Sequence, residues 1–407
     1  MLYNAVIFVI MKKSLAIVGG GASALLLAAE LDEQKFDVTI YERNAALGRK
    51  LLVAGDGGFN LTHSEAQEQF ISRYIPADFF QNIISKFSNT DLINRFKSIG
   101  IDTYVGSSKR IFPVKGIKPI DVLNALMDNL KKKNVSIKTN HTWKGWKNDE
   151  LLFETNGENT YLKPDIIVFA LGGASWKVTG SDGSWANYFL EKGIEIVPFQ
   201  ASNCAFEIKW DEQFIKLAEG KQLKNIAITC GDSIKKGEAV ITKFGLEGGV
   251  IYALSAPIRK QLNDTGQATI MIDLKPQMTV EEIKNKFHLR GNRSVKKLLK
   301  DLLHIDDAAF ELLKMVLSKE QFTNLELLAG YIKKLPLIIT TAAPINEAIS
   351  TVGGIALTEI DTTFQLEKLP QHYVIGEMLD WDAPTGGYLL QACFSMGYCL
   401  AQELNKQ

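Results

Sequence analysis

The chain is poor in the residues that build disulfide frameworks and metal sites. Its 407 residues include four cysteines and five histidines, and no two cysteines form a C-x-x-C pair. No group of cysteines and histidines has the spacing of a zinc site. We therefore predict no bound metal and no redox disulfide. A reduced cytoplasmic protein is the simplest interpretation.

Net charge and long apolar runs are absent as well. The 46 basic residues balance the 46 acidic ones, so the composition gives no electrostatic case for nucleic acid or an anionic membrane as a partner. The apolar stretch at residues 1–10, MLYNAVIFVI, is too short to span a bilayer and lacks the basic leader of a signal peptide. We expect residues 1–10 to be an extension before a native start at Met11, or a loosely attached tail. A membrane anchor is the alternative.

A strand, a glycine-rich turn, a helix and a second strand follow one another near the N-terminus. Residues 15–18 form a short apolar run, the helix at 22–31 is rich in Ala and Leu, and a second strand at 36–41 ends at Glu42. This order is the context in which a glycine motif indicates a dinucleotide site. A glycine turn in any α/β domain is the simpler alternative, but it does not account for the acid that ends the second strand.

The glycine-rich turn has the pattern Gly19-x-Gly21-x-x-Ala24. Gly19 permits the tight turn, Gly21 lets the backbone approach a pyrophosphate, and the helix N-terminus offers unpaired N–H groups to the phosphates. Glu42 is expected to accept hydrogen bonds from ribose hydroxyls, and its charge would repel the 2′-phosphate of NADP. The residues of this unit that we assign to the cofactor are Gly19, Gly20, Gly21, Ala22, Ser23 and Glu42. This stretch alone leaves NAD and FAD both open.

A second glycine-rich loop follows the strand that ends at Glu42. Residues 54–63, AGDGGFNLTH, hold three glycines and an asparagine, so the backbone must bend sharply or approach another group closely. The loop is placed to reach along a long cofactor, and a surface turn is the alternative. Basic side chains before it either meet phosphates or are solvated. The candidate cofactor residues in this region are Arg43, Arg49, Lys50, Gly57, Asn60 and Leu61.

An antiparallel meander interrupts the expected alternation of strands and helices. After a helix at 120–133, the runs HTWKGW, ELLFET and TYLK are typical of three short strands. The apolar run at 165–171 then predicts a strand that is buried on both faces and ends at Gly172-Gly173. A plain NAD dehydrogenase domain would continue with alternating strands and helices. The order resembles the FAD domain of the glutathione reductase superfamily, with Trp143, Gly172 and Gly173 near the cofactor.

A second unit of strand, acid, glycines and helix stands near the C-terminus. The strand at 373–375 ends at Gly376-Glu377, and a polar loop leads to Gly386-Gly387 and a long helix at 388–404. Two glycines before a helix N-terminus again indicate an anion site. NAD does not need this second unit of strand, glycines and helix. The ribityl chain and isoalloxazine of FAD do need it, because they extend beyond the pyrophosphate. The residues assigned to this end of FAD are Gly376, Glu377, Gly386, Gly387, Tyr388 and Leu389.

Several stretches, taken in order, resemble one family. GGGASALLLAAEL, AGDGGFNLT, RIFPV, ALGGASWKVTGSDGSW, TKFGLEGG and VIGEMLDWDAPTGGYLLQ are similar to the BaiN/YhiN-like bacterial NAD(P)/FAD-dependent oxidoreductases over nearly the whole chain after Met11. The chain departs from the family in two places. The family's GGGRCN is replaced by GDGGFN at 55–60, and Leu389 stands where the family commonly has asparagine. Roles of the missing Arg, Cys and Asn do not carry over.

The resemblance implies the fold class and the domain organisation. The fold is expected to be α/β, with a glutathione-reductase-type FAD-binding Rossmann domain interrupted by a β-barrel-like domain that carries a helical insert. The boundaries are an extension at 1–10, a discontinuous FAD domain at 11–193 and 340–407, a β-rich inserted domain at 194–279 and 335–339, and a helical insert at 280–334.

The predicted function is an FAD-dependent oxidoreductase that acts on an unidentified small molecule. FAD is expected to bind non-covalently, and NAD(P)H is a candidate transient electron donor, although no second GxGxxG fingerprint is present. The flavin carries the redox chemistry. The candidates for a catalytic side chain are His63, Asp380 and Tyr388, and the sequence does not decide among them. The substrate, the electron acceptor and the oligomeric state are left open.

Two other functions are kept as alternatives. A flavin-dependent RNA- or tRNA-modifying or RNA-binding protein is suggested by a local basic run, Arg290, Arg293, Lys296, Lys297 and Lys300. The acids that follow at once, Asp301, Asp306 and Asp307, favour a solvated helix face instead, so nucleic acid is not the expected partner. A non-catalytic flavin-binding protein is suggested by the lack of an obvious acid/base dyad.

Overall fold

The computed structural model describes residues 11–53 and 58–407. Contacts within the chain divide it into two units. The first comprises the described residues up to Gln200 together with Thr351–Gln407, and the second comprises Ala201–Ser350. The proposed extension at 1–10 lies outside the described residues, and the division into an FAD domain, a β-rich domain and a helical insert stays a prediction.

The strands and helices are numbered in chain order. The strands are β1 (Lys13–Val18), β2 (Phe36–Tyr41), β3 (Thr62–His63), β4 (Thr103–Val105), β5 (Arg110–Pro113), β6 (Ser136–Lys138), β7 (Thr142–Lys147), β8 (Glu150–Thr155), β9 (Glu158–Leu162), β10 (Ile166–Phe169), β11 (Ile196–Ser202), β12 (Phe206–Glu207), β13 (Gln222–Cys230), β14 (Ser233–Ile241), β15 (Gly245–Glu247), β16 (Ala268–Asp273), β17 (Leu335–Ile339), β18 (Ser350–Ile355) and β19 (His372–Val374). The α-helices are α1 (Ala22–Glu30), α2 (Arg49–Val53), α3 (Gln67–Ile71), α4 (Ala77–Lys86), α5 (Asn89–Ser98), α6 (Pro119–Lys132), α7 (Ala186–Glu191), α8 (Glu212–Ala218), α9 (Gly249–Tyr252), α10 (Ser255–Thr265), α11 (Val280–His288), α12 (Val295–Leu303), α13 (Asp307–Val316), α14 (Lys319–Thr323), α15 (Leu325–Lys333) and α16 (Tyr388–Leu404).

A five-stranded parallel sheet in the order β19-β10-β1-β2-β6 forms the centre of the first unit. β1 and β10 pair with Leu15 opposite Ile166 and Val18 opposite Phe169. All four residues of β10 are buried. Burial on both faces of a parallel sheet explains why this strand is a continuous apolar run rather than an alternating one.

Helices α1 and α16 pack directly against each other in the first unit. α1 is built from Ala and Leu with one buried Ser, and nearly all of its side chains are buried. The two backbones approach closely at Gly397, where an added Cβ would overlap the carbonyl oxygen of Ser23 and lie 3.0 Å from the amide nitrogen of Leu27. The N-terminal and C-terminal segments of the chain therefore share one hydrophobic core.

Helical periodicity in the sequence extends over 79–99 and predicts one helix, but the structure has two helices there. α4 ends at Lys86, and α5 begins at Asn89 after a break at Phe87 and Ser88. The Ser88 hydroxyl accepts a hydrogen bond from the Asp91 N–H at 3.3 Å, and the Asp91 carboxylate accepts one from the Ser88 N–H at 2.8 Å. This reciprocal capping box starts a new helix in the middle of the apolar pattern.

The first unit also contains two small antiparallel sheets. The predicted meander is present as the sheet β7-β8-β9, and a second sheet has the order β3-β5-β4. In the second sheet Thr62 pairs with Ile111, and His63 pairs with Arg110. Because β3 directly follows the glycine-rich loop, this sheet carries the chain from that loop into the body of the first unit.

The second unit is built on an antiparallel sheet in the order β12-β15-β14-β13-β16-β17. The segment after β17 returns to β12, where the Glu207 N–H donates to the Thr341 carbonyl at 2.8 Å and the Thr340 N–H donates to the Glu207 carbonyl at 3.1 Å. These bonds join the two outer strands and make the sheet barrel-like. The helices α11–α15 share a hydrophobic core with it, in which Leu298 and Ile270 are both fully buried.

Residues 11–53 and 58–407 contain no membrane-spanning helix and no metal-binding cluster. None of their helices combines the length and the apolar character needed to cross a membrane. No three His, Cys, Asp or Glu side chains among them come together in an arrangement that holds a metal ion. Cys204, Cys230 and Cys399 are buried, Cys393 is partly buried, and none of the four forms a disulfide.

Gly397→Ala should lower the stability of the protein, although alanine is the better helix former. Its Cβ would press on backbone atoms of α1, which cannot move aside like the end of a side chain. Overpacking of this kind costs about 1–3 kcal/mol. Urea unfolding followed by circular dichroism measures the change.

The matched control is Gly330→Ala in the interior of α15, where nothing lies within 4 Å of an added Cβ. There the same substitution should raise the free energy of unfolding by about 0.5–1 kcal/mol, because alanine loses less backbone entropy than glycine. A Gly397→Ala protein as stable as the Gly330→Ala protein would contradict the close approach of the two helices.

Candidate cofactor-binding site

The carboxyl ends of four neighbouring parallel strands carry the predicted cofactor residues. Gly19 follows β1, Glu42 follows β2, Gly172 comes after β10, and Gly376 comes after β19. Because the sheet is parallel, these positions share one edge, which is the usual place for a ligand in an open α/β sheet. The two ends of the chain meet there, since a Cβ on Gly376 would lie 2.6 Å from Ser23 Oγ in the first turn of α1.

The glycine turn is shaped by contacts that exclude side chains. Gly19 has a φ of 104°, and an added Cβ would overlap the Ala170 carbonyl oxygen. A Cβ on Gly20 would lie 2.5 Å from Leu47 Cγ. Gly21 is different, because it is exposed and its nearest neighbour would be 4.0 Å from an added Cβ. The open side of the turn is therefore at Gly21.

α1 begins at this open side. Gly21 is its N-cap residue, and no side chain caps the helix. Ala22 is half-buried and Ser23 is buried. The first N–H groups of a helix have no intrahelical partner, and together with the helix dipole they form a ready site for a phosphate.

Glu42 is already held by hydrogen-bond donors of the chain. Its Oε2 accepts from the Gly20 N–H at 2.9 Å, and its Oε1 accepts from the Asn44 N–H at 2.9 Å and from the Asn44 side-chain amide at 2.6 Å. An ionised carboxylate offers about four lone-pair sites, so these three donors leave room for a ribose hydroxyl. The geometry is compatible with the ribose assignment, which stays a prediction.

Arg43 and Arg49 bind protein groups in this structure. The Arg43 guanidinium donates to Asp182 at 3.0 Å and to the Gly180 carbonyl, so it ties the loop after β10 to the end of β2. Arg49 is exposed and donates to Asn44 Oδ1 at 2.6 Å. Arg43 therefore shapes the rim of the candidate site. The contact of either side chain with a phosphate stays a prediction.

The glycine-rich loop leads into the small antiparallel sheet. Gly57 lies outside the described residues. Asn60 is half-buried, and Leu61 is buried and donates its N–H to the Ile111 carbonyl at 2.8 Å. Asn60 and Leu61 thus join the loop to β3, and their contact with a cofactor stays a prediction.

A partly buried polar cluster joins α2 to the loop after β19. The Lys50 ammonium lies 2.7 Å from Glu377 Oε2 and 2.9 Å from Ser175 Oγ. The other oxygen of Glu377 accepts from the Thr351 N–H at 3.3 Å. Gly173 lies against the same group, since its Cβ would lie 3.2 Å from Glu377 Cγ. Two predicted cofactor residues, Lys50 and Glu377, are therefore partners of each other.

Trp143 is packed in an aromatic cluster rather than aligned with the strand ends. Its ring centroid lies 4.7 Å from that of Phe169 and 5.2 Å from that of Tyr188. Its Nε1 is buried and has no hydrogen-bond partner among the described residues. The backbone N–H of His141, two residues earlier, donates to the Glu42 carbonyl at 2.9 Å. β7 thus begins beside Glu42, the residue predicted to bind ribose. A contact of Trp143 itself with a cofactor stays a prediction.

The N-terminus of α16 is fixed by its backbone. Gly387 is the N-cap residue with a φ of 100°, and its added Cβ would lie 2.5 Å from Thr62 Cα. Only glycine fits this contact, and no side chain caps the helix. Gly386 precedes it, and Leu389 in the first turn is half-buried and packs against the core of the first unit. The first N–H groups of α16 therefore form a second site for negative charge.

Tyr388 is held by a charged pair that the sequence did not reveal. Its hydroxyl donates to Glu65 Oε2 at 2.9 Å, and Arg73 donates to both oxygens of Glu65 at 3.0 and 2.5 Å. The Tyr74 hydroxyl donates to the Tyr388 carbonyl at 2.9 Å. Burial, followed by the hydrogen bond to Glu65 and its charge, raises the pKa of Tyr388 far above its ordinary value. The phenol therefore stays protonated at neutral pH and acts as a donor.

His63 and Asp380 are also engaged with the protein. The His63 ring stacks on Tyr388 with centroids 5.3 Å apart, and its Nδ1 accepts from the Glu65 N–H at 3.2 Å. Burial lowers the pKa of His63, so the ring is neutral at neutral pH. Asp380 Oδ1 accepts from the Gly353 N–H at 2.9 Å and ties the loop after β19 to β18. Catalytic roles for His63, Asp380 and Tyr388 stay predictions.

The residues that sequence reasoning missed have no recognisable spacing. Glu65 lies before α3 and Arg73 lies after it, so no single helix or strand carries both residues and no repeat links them. Ser175 and Thr351 come together with Lys50 from three distant parts of the chain. A single sequence carries no signal for such pairs, because only the fold brings them together.

Comparison with known proteins identifies the family. The model described as "HI0933-like protein Rossmann domain" matches residues 13–403. The chain belongs to this family. A "3-dehydro-bile acid delta(4,6)-reductase" of Clostridium scindens is 25% identical over 94% of this chain and 97% of the relative. A "Ribosomal RNA dihydrouridine synthase" of Haemophilus influenzae is 24% identical over 96% of this chain and 98% of the relative.

A solved structure shares the fold. A 3-ketosteroid-delta4-(5alpha)-dehydrogenase from Rhodococcus jostii superposes with a TM-score of 0.51 at 12% identity, and the match covers 99% of both chains. At this identity the likeness shows the fold alone. The resemblance to the BaiN/YhiN-like family and the predicted fold class, an FAD-type Rossmann fold with an inserted β-rich part, are confirmed. One of these relatives is named a reductase, which agrees with the predicted enzyme class, an oxidoreductase.

Glu65→Gln should remove a pH-dependent part of the stability. Burial alone would raise the pKa of Glu65, but the hydrogen bonds from Arg73 and Tyr388 outweigh it and lower the pKa below its ordinary value of 4.5. The carboxylate therefore adds stability that is fully present above pH 4.5 and is lost as the pH falls through the lowered folded value. At neutral pH the variant should be less stable by about 1–3 kcal/mol, because Arg73 loses a charged partner.

The measurement is urea unfolding of both proteins at several pH values from neutral down to the acid limit of folding. The difference between the free energies of unfolding of the unsubstituted protein and of Glu65→Gln should decrease as the pH falls. The control is Glu68→Gln, because Glu68 is an exposed acid in the first turn of α3. This substitution should change the free energy of unfolding little at any of these pH values. A difference for Glu65→Gln that stays constant with pH would contradict the lowered pKa.

Proposed function

We propose that this chain binds FAD non-covalently and uses it to reduce a carbon–carbon double bond conjugated to a carbonyl in a small molecule. One observation carries the proposal. The N-termini of α1 and α16 belong to one unit, and Gly397 of α16 crosses α1 at Ser23. Tyr388 lies nine residues before Gly397, so the two helix ends are about 14 Å apart along α16 at a rise of about 1.5 Å per residue.

Two sites for negative charge at this separation suit a long cofactor. The N-terminus of α1 would hold a pyrophosphate, and the N-terminus of α16 would hold a group well beyond it. FAD meets this need because its ribityl chain and isoalloxazine extend past the pyrophosphate. The bound flavin would supply hydride transfer, and the positive helix end would stabilise negative charge on the reduced ring.

Each predicted residue has a role in this proposal. Glu42 would accept the ribose hydroxyls, and Lys50 and Glu377 would hold the middle of the molecule by charge and hydrogen bonds. The remaining residues proposed to line the cofactor are Gly19, Gly20, Gly21, Ala22, Ser23, Arg43, Arg49, Gly57, Asn60, Leu61, Trp143, Gly172, Gly173, Gly376, Gly386, Gly387, Tyr388 and Leu389.

The substrate chemistry is proposed from the names of the relatives. A delta(4,6)-reductase and a dihydrouridine synthase are both named for the addition of two hydrogen atoms across a double bond of a ring. In each ring the double bond is conjugated to a carbonyl, which makes its far carbon an acceptor of hydride. NAD(P)H is the proposed transient reductant of the flavin. It would bind without a Rossmann domain of its own, and the cytoplasm, where NAD(P)H and reduced thiols coexist, is the proposed location.

A ribosomal RNA substrate is the second candidate, since one relative is named for it. The basic run that first suggested RNA gives it little support. Arg293 lies 3.6 Å from Asp301, and Lys296 lies 3.5 Å from Asp307. These bases are partly neutralised by acids of the same unit, which leaves a weak attraction for phosphate. We therefore favour a small molecule over ribosomal RNA as the substrate.

The function is tested with the purified protein and the flavin that is expected to co-purify with it. Denaturation should release FAD rather than FMN. The photoreduced protein, kept free of oxygen, should be reoxidised by cyclohexenone or androstenedione, because both carry the conjugated double bond. Cyclohexanone is the matched control, since it has the carbonyl but no double bond, and should leave the flavin reduced.

The outcomes separate the candidates. Recovery of FMN, or of no flavin, would refute the cofactor. Reoxidation at equal rates by cyclohexenone and cyclohexanone would refute the proposed reaction. Reoxidation by a single-stranded oligouridylate but by neither ring ketone would transfer the function to RNA.

Glu42→Ala should weaken FAD binding while leaving the fold intact. Hydrogen bonds to a charged group are worth about 1.5–3 kcal/mol, so the dissociation constant should rise about tenfold or more. Fluorescence titration of the deflavinated protein with FAD measures it. Glu158→Ala, an exposed acid on β9, removes the same charge away from the site and should leave FAD affinity unchanged. Equal affinities for the two variants would contradict the ribose assignment.

A further inference from the structure

One face of the small sheet β3-β5-β4 carries a line of side chains that the proposed function has not used. Arg110 and Phe112 are two positions apart on β5, so their side chains lie on the same face. His63 stands opposite Arg110, and Tyr104 stands opposite Phe112. Directly opposed residues of an antiparallel pair share a face. His63, Arg110, Phe112 and Tyr104 therefore form one row, which we call the β5 face.

Arg110 is the exceptional member of the β5 face. It is half-buried, and within residues 11–53 and 58–407 its guanidinium has neither a hydrogen bond nor an ion pair. The other half-buried arginines of this unit differ, since each has an acidic partner: Arg43 pairs with Asp182, Arg73 with Glu65 and Arg95 with Glu30. A charge withdrawn from water without a partner is unfavourable. Arg110 is therefore in place for an acceptor that the described residues do not supply.

The position of Arg110 relates it to the candidate site. An added Cβ on Gly386 would lie 3.4 Å from Arg110 Nε, so the guanidinium lies beside the residues that lead into α16. In the proposed function this helix end faces the reactive end of the flavin. A group bound by Arg110 would therefore lie next to the reacting ring.

The end of the β5 face away from His63 is aromatic and partly exposed. The rings of Tyr104 and Phe112 are stacked with centroids 5.7 Å apart and planes 27° apart. Tyr104 is 50% exposed, and Phe112 is half-buried. A partly exposed aromatic pair next to a cation that has no partner among the described residues matches a ligand that has a flat apolar ring and an electron-rich oxygen.

We propose that the β5 face is the substrate-binding surface, with Arg110 binding a carboxylate or carbonyl oxygen and Phe112 and Tyr104 supporting the ring. This inference rests on the proposed function and names the part of the chain that recognises its substrate. Arg110 would hold the substrate by a charge-assisted hydrogen bond. If the bound oxygen is the carbonyl conjugated to the double bond, negative charge collects on it as an enolate when hydride adds to the ring; a carboxylate would instead serve to anchor the substrate.

A small molecule fits the β5 face better than a nucleic acid chain. Backbone phosphates are bound by several exposed cations at once, whereas the face presents a single half-buried guanidinium. Lys109 and Lys115 are exposed on the same hairpin, and they would act with Arg110 if phosphates were the ligand. They thereby provide the control that separates the two ligands.

The test uses benzoate, which combines a flat ring with a carboxylate, and benzyl alcohol, which has the ring without the charge. Both are titrated into the purified FAD-loaded protein by calorimetry, and the FAD content of each variant is measured in the same samples. Arg110→Gln should raise the dissociation constant for benzoate about tenfold or more, as expected for the loss of a charge-assisted hydrogen bond. Arg110→Lys should recover part of the affinity.

The controls separate the charge from the ring and the site from its surroundings. Arg110→Gln should leave benzyl alcohol binding unchanged. Tyr104→Ala should weaken benzoate and benzyl alcohol alike, because it removes part of the ring support. Lys115→Gln should change neither affinity.

Each contrary result has a distinct meaning. A purified protein without FAD would refute the proposed function and this inference with it. A protein that holds FAD but does not bind benzoate, or binds it equally well as Arg110→Gln, would refute this inference alone. Loss of FAD from Arg110→Gln but not from Lys115→Gln would assign Arg110 to the cofactor. Tight binding of an oligouridylate that Lys115→Gln and Arg110→Gln weaken equally would assign the hairpin to phosphates.

Discussion

The close contact between the first turn of α1 and the C-terminal segment holds the candidate site together. Gly376 approaches Ser23 at the end of β19, and Gly397 approaches the same residue from α16. Both positions exclude a side chain, Gly376 because of the Ser23 hydroxyl and Gly397 because of the backbone of Ser23 and Leu27. The candidate site needs both ends of the chain, and these two glycines allow the ends to come into contact.

Much of the fold followed from local patterns in the sequence. The buried strand at Ile166–Phe169, the meander at β7-β8-β9 and the helix at Tyr388–Leu404 lie where apolar periodicity and glycines indicated. Hydrophobic period and turn chemistry are local properties, so a single sequence reports them well. The break between α4 and α5 was missed because the capping signal of Ser88 and Asp91 lies within an uninterrupted helical period.

The site was predictable only in its backbone elements. Gly19, Glu42 and Gly376 stand at strand ends, and a parallel sheet brings strand ends together. The partners of the side chains were not predictable in the same way. The pairing of Lys50 with Glu377 spans more than three hundred positions, and its geometry depends on packing that a single sequence does not encode in any fixed spacing.

The bonds from Gly20 and Asn44 to Glu42 have a consequence for how a ligand would be received. A side chain that swings freely loses rotational freedom when it captures a ligand, and that loss weakens binding by about 0.5–1.5 kcal/mol for a long side chain. Glu42 is restrained by three donors before any ligand arrives, so most of this loss has already occurred during folding. The acid acts as a fixed template, and a sugar that fits it meets a receptor that does not need to rearrange.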